Sequence, residues 1–170
     1  MKYLFLFLSV FFMANCFAQQ ITPKQAWLEK WENSKNYLIG IAEVMPEEGY
    51  DFKPTERQMS FKEQLVHIQG NIDWLSTSYF TEIGFKNATA ETPSTKAETI
   101  TLITETFDNA SKIIASVSED SLLETVEFFA GSKSKLQILN LLQDHITHHR
   151  GQLIVYLNLK DVEPPAYSGW

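Results

Sequence analysis

The amino-acid sequence predicts an all-α protein with the architecture of a four-helix bundle. Three segments have the capping-box pattern, in which a Ser or Thr is followed three residues later by Glu or Gln: 60–63, 95–98 and 134–137. Thr22 and Pro23 mark a fourth helix start, because proline is pre-set for the first helical turn. Apolar residues recur at helical spacing after each start and strand signals are few, so four helices in one bundle are the expected fold.

The first two helices are predicted over residues 23–44 and 61–80. Their apolar residues at helical spacing are Trp27, Trp31, Leu38 and Ile41 in the first helix and Leu65, Ile68, Ile72 and Leu75 in the second. Pro46 lies just beyond the first helix, and residues 46–54 are expected to form a loop. Gly84 follows the end of the second helix.

The last two helices are predicted over residues 96–117 and 135–160. The side of the last helix that faces the bundle is expected to carry Leu139, Leu142, Ile146, His149, Leu153 and Leu157. Between the two helices, residues 125–129 have the pattern of a short extended segment closed by Gly131. Gly151 inside the last helix costs about 1 kcal/mol relative to alanine, which suggests close packing at that position.

Residues 1–18 are predicted to be a secretory signal peptide. They contain 15 apolar residues and one charge, Lys2, and the apolar run is too short to span a bilayer. The expected cut lies between Ala18 and Gln19. In a rival interpretation Cys16 becomes a lipidated N-terminus, and in a third the segment is a buried N-terminal helix.

The predicted mature domain, residues 19–170, is acidic and has no thiol. Loss of Lys2 changes the formal net charge from −7 to −8, and the single Cys leaves with the signal. A sequence-independent nucleic-acid binder needs a basic surface, so this class is not expected. Disulfides, a cysteine nucleophile and thiolate metal ligands are excluded for the mature chain.

Three of the four histidines are close together on the last predicted helix. His145 and His149 are four residues apart and therefore project from the same helix face, where two imidazoles are able to chelate one divalent ion. His148 is rotated by about 100° from His149, so it is able to replace one of the pair but not to join both. A third ligand, His67 from the second helix, would leave an open position for water, as in catalytic metal sites. The alternative is that these are core or boundary histidines that bind no metal.

Other polar and aromatic residues have both a functional and a structural interpretation. Asp144 either accepts a hydrogen bond that orients an imidazole or is a charged side chain on the helix surface. Asp73 and Asp144 are both candidates for a general base. Gln152 faces either the same pocket or solvent. Arg150 binds either a substrate carboxylate or, as is favoured, an acidic neighbour. Trp74 either walls a pocket or packs in the core.

Two motifs resemble the DinB/YfiT-like family, and the resemblance spans about residues 25–170. The first motif is Met45–Thr55, followed by Ser60, Phe61 and His67. The second is Asp144–Gln152, followed by Tyr156, Leu157 and the stretch Val162–Tyr167.

The resemblance implies a four-helix bundle, often a homodimer, that holds a divalent metal ion through His67, His145 and His149. It implies that His148 is not a ligand and that the metal is zinc or nickel. Some members of the family are thiol-dependent S-transferases or isomerases, which act on small molecules. Because low-molecular-weight thiols are mainly cytosolic, the signal peptide favours a metal-dependent hydrolase of unknown substrate instead. A non-catalytic metal-binding or interaction module is the alternative.

Overall fold

The computed structural model describes residues 21–85 and 92–168, and this part of the chain contains four long α-helices. They are α1 (Pro23–Val44), α2 (Phe61–Phe80), α3 (Lys96–Ser116) and α4 (Lys135–Leu159). The predicted all-α bundle is confirmed, with each predicted helix end within one residue of its observed position. The predicted signal peptide and Cys16 lie outside the described residues. None of the four helices is long and apolar enough to cross a membrane.

A complete capping box starts every helix. In each case the hydroxyl of the cap accepts a backbone N–H of the first turn, and the side chain three residues later bonds back to the backbone N–H of the cap. The pairs are Thr22 with Gln25, Ser60 with Glu63, Thr95 with Glu98, and Ser134 with Gln137. Thr22 and Gln25 also have the capping-box spacing in the sequence.

Short elements connect the helices. The predicted loop after α1 contains a 3-10 turn at Glu47–Gly49, and a second 3-10 turn, Asp120–Leu123, follows α3. Two short strands, β1 (Thr125–Val126) and β2 (Lys133–Ser134), pair antiparallel and form a hairpin. Gly131 closes this hairpin with φ of +88°, a conformation that residues with a Cβ rarely adopt. The predicted extended segment is thus confirmed for its first two residues.

The core lies between the helices, with α1 and α2 each packed against α3 and α4. Trp31 is fully buried, stacks on Trp27 at 4.5 Å and contacts the ring of Phe107 at 4.6 Å. Its indole N–H donates to the carbonyl of Phe107 at 3.1 Å, so the polar atom of this large side chain is satisfied. The apolar stripe predicted for α4 is buried along its whole length, and this includes His149. The contact of α4 with α2 is the one that positions the histidines.

The packing expected around Gly151 is not observed. The residue is exposed, and no atom lies within 4 Å of the position that a Cβ would occupy. The prediction of a close helix contact at Gly151 is therefore wrong.

Candidate metal centre

The three histidines singled out by spacing meet where α2 packs on α4. His67 projects from α2, and His145 and His149 project from one face of α4. The ring centroids are 4.9 Å apart for His67 and His145, 4.6 Å for His67 and His149, and 4.4 Å for His145 and His149. One nitrogen from each ring can be chosen so that all three lie within 4.8 Å of one another. No other group of His, Cys, Asp or Glu in the described residues meets this condition for three possible ligands.

The spacing of two of the nitrogens fits a shared ion. Nε2 of His67 and Nε2 of His145 are 3.1 Å apart. Two nitrogens bound to one ion at about 2.0–2.1 Å lie roughly 2.9–3.4 Å apart for bond angles between a right angle and the tetrahedral angle. The observed separation falls inside this range, so it is compatible with one ion shared by these two nitrogens.

The site keeps two of its imidazoles, those of His145 and His149, neutral. The pKa of His145 is lowered to about 4, first by burial and then by repulsion from His149, His67 and His148. The pKa of His149 is also lowered to about 4, again mainly by burial. Since neutral imidazole is the form that binds metal, protons compete weakly for these two nitrogens near pH 7.

His149 is held by hydrogen bonds from a buried polar chain. Its Nδ1 lies 2.5 Å from Oε1 of Gln64, which is on α2. Nε2 of Gln64 donates to Oε1 of Gln152 at 2.6 Å and faces the hydroxyl of Tyr156 at 3.3 Å. The Tyr156 hydroxyl donates to the carbonyl of Met59 at 2.8 Å. Second partners of this kind orient metal-binding imidazoles in proteins.

Sequence reasoning missed Gln64 and Tyr156 as parts of the site. Gln64 precedes His67 by three residues, so helical spacing already placed both on one face of α2. That signal identifies a neighbour of the site but not its bond to His149, which joins residues 85 positions apart in the chain.

His148 stands beside the cluster and is not part of it. Its Nε2 accepts from Nε2 of Gln152 at 2.7 Å, and its ring packs edge-on against His149 at 4.9 Å between centroids. His148 is exposed, as the rotation from His149 requires. Gln152 therefore bonds to residues beside the cluster, which agrees better with the first of its two predicted positions than with a side chain free in solvent.

Neither predicted general base touches the histidines. Asp144 is exposed, and within the described ranges no hydrogen bond joins it to an imidazole. Asp73 is half-buried, accepts a hydrogen bond from Gln69, and has a raised pKa because of its burial. The structure thus favours the surface interpretation of Asp144 and gives Asp73 a local partner on α2.

The ion pair favoured for Arg150 is not formed. Arg150 is only 5% exposed, and its guanidinium lies over the ring of Tyr37 at 5.0 Å. No acidic side chain in the described part of the chain is within ion-pair distance of it, and its Nη1 is buried without a partner. Burial lowers the pKa of this arginine. The prediction of an acidic neighbour is wrong because Arg150 faces α1, where it meets an aromatic ring.

Trp74 belongs to an aromatic cluster beside the hairpin. Its ring stacks near Phe128 at 6.0 Å and near Phe129 at 6.3 Å, and it contacts Tyr79 at 6.5 Å. The packing interpretation of Trp74 is therefore the one that the structure supports.

A cleft of about 370 Å³ opens against His67. It is lined by Lys62, Glu63, Val66, His67 and Thr92. The side chains of Lys62 and Glu63 are engaged by oppositely charged neighbours, Asp51 at 3.2 Å and Lys53 at 2.8 Å. The cleft therefore borders the histidine cluster at His67.

Solved structures of DinB-like proteins have the same fold. A DinB-like protein of Bacillus subtilis, YjoA, matches with a TM-score of 0.73 and 22% identity, over 85% of this chain and 99% of that chain. A DinB-like protein of Bacillus cereus ATCC 10987 matches with a TM-score of 0.73 and 16% identity, over 83% of this chain and 95% of that chain. No curated protein matches the sequence. The model of the DinB family matches residues 19–169. The chain therefore belongs to the DinB family.

Proposed function

We propose that this protein binds one divalent metal ion through His67, His145 and His149 and uses it to hydrolyse a small-molecule substrate. The observation that carries the proposal is the convergence of three imidazole nitrogens within 4.8 Å. When bound, a divalent ion would polarise a substrate carbonyl and acidify a water molecule. The chain's own residues hold the three rings in place and keep two of them neutral. The cleft beside His67 is where a substrate would approach.

Zinc and nickel are the proposed metals. Imidazole ligands suit both ions, and ligand type alone does not choose between them. The predicted mature chain offers no thiolate, which would have favoured zinc or copper(I). Export through the predicted signal peptide is part of the proposal, and mass spectrometry of the mature N-terminus tests it. A chain that begins at Gln19 supports secretion, whereas a lipidated Cys16 supports an anchored form.

Metal content tests the site directly. Purified protein of residues 19–170 is expected to contain about one zinc or nickel ion per chain by elemental analysis. His67→Ala and His149→Ala should lose most of this metal, because each removes one of three ligands. His148→Ala is the matched control, since His148 is a neighbouring exposed histidine outside the cluster, and it should keep the metal. Full metal content in both ligand variants would overturn the site.

Hydrolysis is tested on ester and amide substrates with the metal-loaded protein, the chelator-treated protein and His67→Ala. Activity that requires both metal and His67 supports the hydrolase. A thiol-transfer assay with a low-molecular-weight thiol tests the transferase activity known in some family members. The absence of a bond from Asp73 or Asp144 to the imidazoles favours one further candidate, a metal-binding module without catalysis. That candidate predicts stoichiometric metal and no turnover in any of these assays.

A further inference from the structure

We infer that a hydrogen-bond chain anchored on the carbonyl of Met59 sets the tautomer of His149, with Gln64 as the positioning residue that transmits it. The inference deepens the proposed metal function and rests on it, because the tautomer decides which ring nitrogen of His149 is free to bind an ion. The chain runs from Met59 through Tyr156 and Gln64 to His149.

The direction of the chain is fixed at its backbone end. A carbonyl oxygen only accepts hydrogen bonds, so the Tyr156 hydroxyl must donate its single hydrogen to Met59 across 2.8 Å. The Tyr156 oxygen is then left as an acceptor, and the group that faces it at 3.3 Å must be the amide NH₂ of Gln64. The opposite orientation of the Gln64 amide would place two acceptors against each other.

The orientation of Gln64 then determines the state of His149. With its NH₂ group shared between Tyr156 and Gln152, Gln64 presents only its carbonyl oxygen to Nδ1 of His149, at 2.5 Å. An oxygen acceptor requires Nδ1 to carry the hydrogen. Neutral imidazole has one such hydrogen, so Nε2 keeps its lone pair and becomes the nitrogen available to a metal.

Gln152 alone would not fix this state. Its amide bonds to Gln64 on one side and to Nε2 of the exposed His148 on the other. If the Gln64 amide reversed, Gln152 and His148 would be able to reverse with it and keep both bonds, because a ring nitrogen either donates or accepts. The Tyr156–Met59 bond has no such freedom. The Tyr156 hydroxyl is therefore expected to have the largest effect on the orientation of Gln64 and on the tautomer of His149.

Burial strengthens the control that this hydrogen-bond chain has over the His149 tautomer. Gln64 is 1% exposed, Tyr156 is 3% exposed and His149 is 6% exposed, so water does not readily replace a lost partner. His145 provides a contrast inside the same site, because its Nδ1 is buried and has no hydrogen-bond partner among the residues that the structure describes. The fold thus sets the tautomer of one α4 histidine and leaves the other to be set by its neighbour or by the ion.

Long-range ¹H–¹⁵N NMR on the metal-free protein tests the inference independently of metal binding, since it distinguishes the two neutral tautomers of His149. Wild type should show His149 with hydrogen on Nδ1. Gln64→Leu and Tyr156→Phe should show a mixture or the Nε2–H form. Tyr50→Phe is the matched control, because the buried hydroxyl of Tyr50 also donates to a backbone carbonyl, that of Ala42 at 2.8 Å. It should leave His149 unchanged.

Zinc affinity provides the second readout. Gln64→Leu should weaken zinc binding by about 10- to 100-fold, the usual loss when the partner of a ligating histidine is removed. Tyr156→Phe, which removes one oxygen atom and leaves the packing intact, should weaken it in the same direction, whereas Tyr50→Phe should not. Hydrogen on Nε2 in the wild type, or a Tyr156→Phe variant that matches Tyr50→Phe in both measurements, would overturn the inference. Hydrogen on Nδ1 in a wild-type protein that binds no metal would overturn the proposed function instead.

Discussion

Individual residues show which part of the site local spacing reveals. His145 and His149 were predicted as ligands because positions four apart share a helix face. Gln64 and Tyr156 were not, because their bonds cross between α2 and α4 and depend on how these helices pack. The partner predicted for Arg150 was wrong for the same reason, because the sequence does not show that Tyr37, and not a carboxylate, faces it. Helical periodicity therefore predicts a residue's face but not its partner on another element.

The lowered pKa values of the histidines predict that the metal-free protein loses stability in mild acid. The pKa of His145 and of His149 is about 4 in the folded chain, against an ordinary value near 6.5 in the unfolded chain. Between these values the unfolded chain binds more protons, so the free energy of unfolding falls as pH falls. From pH 7 to pH 5 we expect a loss of about 1–3 kcal/mol from these two groups, after allowance for solvent screening of the partly exposed His145.

Urea unfolding with chelator present measures this loss at both pH values. In His145→Gln the loss should be smaller than in wild type by roughly 1 kcal/mol, because one of the two titrating groups is gone. Equal losses in wild type and His145→Gln would contradict the prediction, since carboxylates elsewhere would then account for the whole effect.

Whole elements were predicted better than single contacts. The helix starts follow from capping boxes, which are local in sequence and satisfy backbone N–H groups regardless of tertiary packing. The hairpin was recognised only in its first strand, because two-residue strands carry little sequence signal of their own. Gly151 shows that a glycine inside a helix does not by itself predict close packing, because the structure has no close contact there.

Substitution of Gly151 should stabilise α4. The residue is exposed and nothing lies within 4 Å of an added Cβ, so Gly151→Ala gains helix propensity without a clash. Thermal or urea unfolding should show an increase of about 0.5–1 kcal/mol in the free energy of unfolding. Metal content should stay the same, because Gly151 contacts none of the three histidines.

Gly49→Ala is the contrasting variant. A Cβ at Gly49 would overlap the sulfur of Met45, which is fully buried, so this substitution should destabilise the protein. A loss of stability in Gly151→Ala would show that the helix is packed there against a surface absent from a single chain.

At the scale of the whole molecule, the proposed ion joins two helices that are already packed. His67 on α2 and His145 on α4 are 78 positions apart, and a bound ion would link them. An ion that binds only the folded chain stabilises it by RT ln(1 + [L]/Kd), or about 2.7 kcal/mol at a hundredfold excess over Kd. The melting temperature should therefore rise when zinc or nickel is added to the metal-free protein.

Thermal unfolding of variants identifies the origin of this rise. His148→Ala should show the full increase and His149→Ala should show little, because only the second lacks a ligand. A similar increase in both variants would mean that the ion acts elsewhere on the chain.

The distribution of the three histidines over the helices would also determine when the protein acquires the proposed ion. Two of them lie on α4, the last of the four helices described, so a ribosome must pass His149 before the complete set exists. Among the described residues, the buried set is mostly apolar and contains no cysteine, aspartate or glutamate that needs an ion in order to pack. Unlike small domains that fold around zinc, this chain is expected to fold first and to capture the proposed ion afterwards. The identity of that ion would then depend on the ions present where the finished protein resides, not on those present during synthesis.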